Sequence, residues 1–447
     1  MKKVMLICAP VTSRSGYGDH ARDLVRSFIK HDKYNIKIWD VPWGDCPRNA
    51  LDEKSDKGII DCILTQPNID TQPDVYVDIR IPNEFQTLGK FNIGITAGIE
   101  TTAVSQKWLE DCNKMDLIIV PSNHSKMGFT SALYEKMQNL PNGQKQKVGE
   151  LRLKKPMEVL FEGADENIYK SIENSSLDLL DDIKDNFGFL FVGQWTKGKY
   201  GADRKDISKL VKIFYESFAN KKEKPCLILK TNGAGFSIMD REECLKKINN
   251  IKSMFPKDWD LPNIYLLHGS LSSEEMNNLY NHPKVKCMVS LTHGEGFGRP
   301  LLEATMTGLP VLASAWSGQM DFLSETDSIL IGGSLGEVPK SAQWKDIIIP
   351  ESQWFNINEQ QAYKAMNHCF ENYDDVKTKG LNLMKINRDK FTLDKMIQKL
   401  DEIVTPYVDK VPSQVQIQLP NLKKSGDSNV PKIKLPKLKK TTSEATV

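Results

Sequence analysis

The chain has 447 residues, 40% hydrophobic and 26% charged, with a formal net charge of +2. That is enough apolar material for two or three domains, and no whole-chain field points to nucleic acid or membrane. The charge is uneven: residues 406–447 hold eight lysines against Asp409, Asp427 and Glu444, a net +5, which leaves −3 on residues 1–405.

Met1-Lys2-Lys3 opens onto an apolar run of only six residues before Pro10. A secretory signal needs a longer apolar region and a small-residue cleavage site, so Val4–Ala9 is predicted as a buried strand. Asp19–Lys30 is predicted helical, with Ala21, Leu24, Val25 and Phe28 on one face. Ile36–Trp39, Val75–Ile79, Phe91–Ile95 and Leu117–Val120 follow as strands, and Ser122–Tyr134 as a helix. A polar break over Ser171–Asp185 precedes a second alternation. Its strands are Phe187–Val192, Cys226–Thr231, Asn263–His268, Lys286–Leu291 and Pro310–Ser314, and its helices Ile207–Phe218, Ser272–Tyr280 and Pro300–Thr307. Segments 359–373 and 391–404 read as closing helices. Two doubly wound α/β cores with parallel sheets are the simplest account.

Beyond Thr405 the pattern gives way to Pro, Lys, Ser and Gln. This composition predicts a solvated, disordered tail, and its lysines admit an electrostatic tether to DNA or an anionic membrane surface. No stretch approaches the roughly 18 apolar residues of a transmembrane helix. The eight cysteines (8, 46, 62, 112, 226, 244, 287 and 369) form no Cys-x-x-Cys pair, and several lie in apolar runs. They predict buried thiols in a reducing, cytoplasmic setting rather than a disulfide framework or zinc knuckle.

The most informative stretch runs from His293 to Val311, His-Gly-Glu-Gly-Phe-Gly-Arg-Pro-Leu-Leu-Glu-Ala-Thr-Met-Thr-Gly-Leu-Pro-Val. Three alternate glycines follow a buried strand and let backbone N–H groups approach a ligand. Pro300 suits a first helical position, and Gly308 with Pro310 ends the helix. A glycine loop thus delivers a helix N-terminus to the carboxyl end of a parallel strand, where phosphates bind. Glu295 and Glu303 make no sense beside a bare phosphate. They do if the ligand also carries hydroxyls, since a carboxylate accepts two hydrogen bonds from a vicinal diol. Glu303 alone could serve only to favour the first helical turn.

This stretch resembles the E-x7-E signature of retaining GT-B glycosyltransferases of the family-4 type. The resemblance covers most of residues 1–405 and concentrates in 285–323. It implies two Rossmann-like doubly wound domains facing across a cleft, with closing C-terminal helices. The expected division is 1–175 (acceptor side), 186–355 (donor side), 356–405 (closing helices) and 406–447 (basic flexible tail). It also implies a UDP- or GDP-linked sugar as donor, with Glu295 beside the sugar and Glu303 on the ribose. Phe189–Gly193 with Arg204-Lys205-Asp206 resembles the family's basic loop, where Lys205 matches the lysine that neutralises the diphosphate. Arg usually follows the glycine of that strand, and here Gln194 stands instead; Arg204, Arg299 or Lys230 are the candidates to supply the charge. Gly163-Ala164-Asp165 and Leu267-His268-Gly269 resemble further family segments, Trp316–Gln319 sits at another strand-to-helix turn facing the same cleft as a candidate contact to the donor sugar, and Ser272 and Glu275 spell a capping box.

Lys205 and Glu295 are therefore the catalytic candidates. Gly16, Arg204, Gly296, Phe297, Gly298, Arg299, Glu303 and Gly318 are the donor-binding candidates, and Glu100 and His124 face the acceptor. Gly16 belongs to Ser13–His20, whose Gly-x-Gly resembles the loop that approaches the donor from across the cleft. The acceptor class stays open among glycan, lipid and nucleic acid. Asp258-Trp259-Asp260 is the one Asp-x-Asp, and it follows no buried strand, so no essential metal is expected. A GT-B epimerase acting on nucleotide sugars, or an inactive nucleotide-sugar-binding protein, would share the fold.

Overall fold

The computed structural model describes residues 2–66, 68–140, 144–195, 200–233 and 235–412. The alternation of short apolar runs with amphipathic segments resolves into two six-stranded parallel sheets. The first lobe comprises β1 (Lys3–Ala9), α1 (Gly16–His31), β2 (Tyr34–Asp40), the one-turn α2 (Lys57–Ile60), β3 (Val75–Ile79), β4 (Phe91–Ile95), α3 (Gln106–Cys112), β5 (Leu117–Val120), α4 (Asn123–Ser131), β6 (Tyr134–Asn139), β7 (Lys145–Leu151) and β8 (Met157–Val159). Its strand order is β2-β1-β3-β4-β5-β8. Because side chains alternate across a strand, Met5, Ile7, Val75, Val77, Ile93, Ile95, Leu117 and Ile119 share one face. The predicted α1 stripe of Ala21, Leu24, Val25 and Phe28 packs onto them. Each of these buried side chains larger than Ala21 contributes roughly 1.5–3 kcal/mol.

The helix predicted over Ser122–Tyr134 is shorter than expected. The helix after β5 ends at Ser131, and the chain then forms the antiparallel β6–β7 hairpin. Thr130 and Ser131 hydroxyls bond back to the carbonyls of Lys126 and Met127. Tyr134 then anchors the hairpin by donating its hydroxyl to the Val104 carbonyl at 2.5 Å.

The second lobe comprises β9 (Gly188–Gln194), α5 (Ile207–Phe218), β10 (Cys226–Asn232), α6 (Ile238–Lys252), β11 (Ile264–Leu267), α7 (Ser273–Asn281), β12 (Val285–Ser290), α8 (Arg299–Met306), β13 (Val311–Ser314) and β14 (Ile329–Ile331), followed by the antiparallel pair β15 (Gly333–Glu337) and β16 (Gln353–Ile357). Its strand order is β11-β10-β9-β12-β13-β14. The expected capping box at Ser272 and Glu275 is present.

Three helices close the chain: α9 (Glu359–Glu371), α10 (Tyr373–Lys390) and α11 (Leu393–Val408). The last runs through Pro406, past the boundary expected at 405. It returns to the first lobe, where Met396, Leu400, Ile403, Val404 and Val408 join the core that holds Met5 and Ile7. The two chain crossings between lobes are bonded to each other: Ala164 N–H donates to the Phe391 carbonyl at 3.0 Å and Leu393 N–H to the Ala164 carbonyl at 2.8 Å. A Cβ on Gly163 would meet the Leu393 Cα at 2.7 Å, so only glycine lets the crossings lie this close.

Six of the eight cysteines are buried, and all are free thiols. No helix among the described residues is long and apolar enough to cross a membrane. Of the basic tail, residues 413–447 lie outside the described residues.

Candidate active site

The site lies where the carboxyl ends of both sheets meet. In the second lobe, β12 ends at Ser290 and the chain passes through 291–298 into α8. Gly298 holds φ 99° at the helix N-cap, a left-handed conformation that glycine adopts without strain. The other glycines of this loop serve lobe contact. A Cβ on Gly296 would come within 1.9 Å of the Ala97 carbonyl oxygen, and one on Gly294 within 2.1 Å of the Glu100 carbonyl oxygen. The Gly296 carbonyl accepts the Ser122 hydroxyl at 2.6 Å. Each of these partners belongs to the first lobe.

Glu295 is clamped at its backbone. Its N–H donates to the Ser317 hydroxyl at 2.9 Å, and its carbonyl accepts the Gly318 N–H at 2.9 Å. Its carboxylate meets two cations from the turn that follows β9. Oε1 lies 2.5 Å from Lys205 Nζ, and Oε2 lies 3.5 Å from Arg204 Nη1. Burial alone would raise the Glu295 carboxyl, but Lys205 and Arg204 hold it below the usual range. Burial lowers the Lys205 ammonium, an effect that Glu295 partly offsets. Arg204 Nη1 also reaches Glu100 Oε1 of the first lobe at 3.2 Å. Gln194, the last residue of β9, pairs in register with Asn232, and the guanidinium on Glu295 belongs to Arg204.

A second cluster surrounds Glu303, one turn into α8. Its carboxylate takes Arg299 Nε at 2.9 Å and the Tyr280 hydroxyl at 3.3 Å. Arg299 Nη1 extends across the cleft to Asp23 Oδ2 at 2.7 Å. Burial raises the Glu303 carboxyl and lifts Glu162, which faces the same cluster, to about 7. His20, also buried, is pushed down to about 4 by burial and by Arg299.

The structure therefore brings together Lys205, Arg204, Glu295 and Glu100 in one group, and Arg299 and Glu303 in another. Phe297 is different: its ring is 2% exposed and packs in the core against Phe322, so only its backbone is left for a ligand. The Gly318 N–H is already taken by the Glu295 carbonyl. Gly16 opens α1 with open space around it. His124 is buried edge-on to Trp316, ring centroids 4.7 Å apart, and burial lowers it to about 4. Lys230 donates to the Gly269 carbonyl at 2.6 Å, on the β10–β11 side. Asp258 and Asp260 sit in an exposed loop where Asp260 pairs with Lys224. No group of three or more His, Cys, Asp or Glu placed to hold a metal occurs among the described residues.

Sequence reasoning missed Asp23, Glu162, Ser122 and Tyr280 as site residues, while Ser317 fell within the cleft-facing turn it singled out. The others gain meaning when two lobes or two helices meet, which no single-segment pattern encodes.

The family model described as "Glycosyl transferases group 1" matches residues 258–349, the stretch that carries Glu295, Glu303 and Ser317. None of the curated proteins compared matches the chain. Among solved structures, Anabaena Alr3699/HepE in complex with UDP and glucose superposes with a TM-score of 0.57 at 13% identity, over 90% of this chain and 100% of that one. Sucrose-phosphate synthase from Thermosynechococcus elongatus gives 0.60 at 11%, over 91% and 99%. A glycosyltransferase from Rickettsia africae gives 0.60 at 14%, over 92% and 100%. At these identities the likeness shows the fold: two Rossmann-like domains in the GT-B arrangement.

Proposed function

We propose that this protein is a retaining glycosyltransferase that moves a sugar from a UDP- or GDP-linked donor onto a glycan, lipid or nucleic-acid acceptor. The observation that carries the reading is the Lys205–Glu295 pair, 2.5 Å apart and buried in front of the α8 N-terminus. A carboxylate aimed at sugar hydroxyls and an ammonium aimed at phosphate stand together at a helix end that itself attracts anions. The family match across Glu295 and Glu303 supports the donor class. The solved Anabaena protein of the same fold holds UDP and glucose.

In this reading the donor diphosphate lies against the backbone N–H groups that open α8. Lys205 and Arg204 take up the charge that builds on the leaving phosphate. Arg204 replaces the arginine that Gln194 lacks. Glu303 holds the ribose, giving up part of its hold on Arg299, and Glu295 orients the sugar. The bond between the sugar carbon and the phosphate oxygen breaks while the acceptor oxygen bonds on the same face. The acceptor proton passes to the departing phosphate, so no protein nucleophile and no metal are required. Lobe closure excludes water that would otherwise hydrolyse the donor. Glu100 and His124 form the acceptor side.

The test is nucleotide release from a panel of UDP- and GDP-sugars, first alone and then with glycans, lipids and DNA. Slow release from one donor, accelerated by one acceptor class, is the expected result. Binding without release in every combination would overturn it.

A further inference from the structure

Behind the Arg204–Lys205 turn lies a polar group that the transfer just described does not use. Asp203 and Asp206 flank the two cations in sequence yet are 1% and 0% exposed. They enclose His293, itself 1% exposed, whose ring lies flat on Trp354 with centroids 3.8 Å apart. His293 Nδ1 is 2.6 Å from the Phe355 carbonyl oxygen. A carbonyl only accepts, so Nδ1 carries a hydrogen and, in the neutral ring, Nε2 carries a lone pair. That lone pair faces Asp206 Oδ2 at 3.3 Å, with the Gly201 carbonyl also beside the ring. With the carboxyl ionised, two acceptors confront each other in a buried site, which is costly. A single proton between them converts the clash into a hydrogen bond.

The charged groups around the pair are few. Lys209 Nζ lies 2.9 Å from the same Asp206 oxygen, and Asp203 accepts the Ile207 N–H at 3.3 Å from the other end of the turn. Glu359 acts on Asp206, and Lys247 on Asp203, from a greater distance. Burial raises Asp203 and Asp206 to about 6 and lowers His293 to about 4. The carboxyl of the pair therefore takes the proton before the imidazole does.

We propose that Asp206 and His293 are positioning residues: they share one proton, and the bond it makes fixes the turn that aims Arg204 and Lys205 at the donor diphosphate. The route is short. Asp206 is the chain neighbour of Lys205, and the His293 N–H donates to the Arg204 carbonyl at 3.0 Å, beside the Thr292 hydroxyl at 3.1 Å. When the proton leaves, the turn keeps its backbone bonds and the Lys209 and Asp203 contacts but loses its link to the imidazole, and the two cations lose their common aim. This inference rests on the donor site proposed above.

The experiment follows nucleotide release from pH 5 to 8.5 with UDP-glucose, or whichever nucleotide sugar the panel identifies. Native chain, Asp206→Asn and His293→Leu are compared. Asparagine offers Nε2 a permanent N–H at every pH, at the cost of the oxygen that Lys209 and His293 share. Native kcat is expected to fall about tenfold as pH rises through the pair's titration, with donor KM changed less than about twofold. Asp206→Asn should hold its kcat to pH 8, and His293→Leu should be about tenfold slow at every pH. An alkaline fall persisting unchanged in Asp206→Asn, or native kcat in His293→Leu, would overturn the proposal. Should His293→Leu not fold, Asp206→Asn decides alone. Long-range proton–nitrogen spectra of His293 read the pair without any donor. Its Nε2 resonance should move with pH in the native chain and stay fixed in Asp206→Asn. A native resonance that never moves sinks the pair, whereas a moving one in a chain that releases no nucleotide sinks only the transfer reading.

Discussion

Arg299 Nη1 stands 2.7 Å from Asp23 Oδ2, so that a side chain on the donor helix of one lobe is held by the first helix of the other. Both are largely buried, at 19% and 8% side-chain exposure. Asp23→Asn should leave Arg299 with Glu303 alone. The melting temperature should drop by the equivalent of about 1–3 kcal/mol. Small-angle scattering should report a larger radius of gyration as the lobes part, and an unchanged radius would mean that this contact does not hold them together.

Lys205 and Glu303 should fail in different ways. In the proposed reaction Lys205→Ala would remove charge needed as the phosphate departs, so kcat should fall about 100-fold or more while donor affinity changes little. In the same reading Glu303→Ala would remove a ground-state contact to the ribose and should weaken donor binding about tenfold, with kcat nearly kept. Isothermal titration together with steady-state release separates the two, and native kinetics in both variants would refute the site assignment.

Gly296→Ala tests lobe contact directly. The added methyl would sit 1.9 Å from the Ala97 carbonyl oxygen, which is backbone and cannot swing aside. Each lobe should keep its own core, so circular dichroism should stay native. The closed arrangement should be lost, however, with donor turnover down at least about tenfold.

Glu162 makes stability fall toward neutral pH. Its carboxyl sits at about 7 in the native chain, against an ordinary value near 4.5, because burial penalises the charged form. A raised carboxyl pKa means that stability is fully present below the unfolded value and is lost as pH rises toward and past 7. Glu162→Gln should remove this dependence. Denaturant unfolding at pH 5 and pH 8 should show the native chain losing on the order of 3 kcal/mol more than the variant across that interval. Equal losses would show that Glu162 is not strained by ionisation.

The sheets were legible because buried parallel strands are short apolar runs: Val75–Ile79, Phe91–Ile95 and Leu117–Val120 match their predicted limits. The helix Ile238–Lys252 escaped notice because only Cys244, Ile248 and Ile251 are buried on an otherwise charged segment, too thin a stripe to stand out. The β6–β7 hairpin escaped for a related reason, since Tyr134 and Leu151 alone fix it to the core while its outer residues are polar or exposed. At the site, Glu295, Glu303, Lys205 and Arg204 were readable because glycines, proline and charge cluster around them in sequence. Asp23 was not: on α1 it looks like any solvent-facing acid, and only the approach of the other lobe turns it into a partner for Arg299.

The paired crossings at Ala164 and Phe391–Leu393 have a mechanical meaning. Two strips of chain pinned side by side resist torsion as a door leaf does, yet still flex about the line that joins them. Any relative motion of the lobes is expected to turn about this line. The same pinning makes the last helix part of the frame, so a chain cut before Leu393 would lose one of the two pinning bonds and a wall of its first lobe.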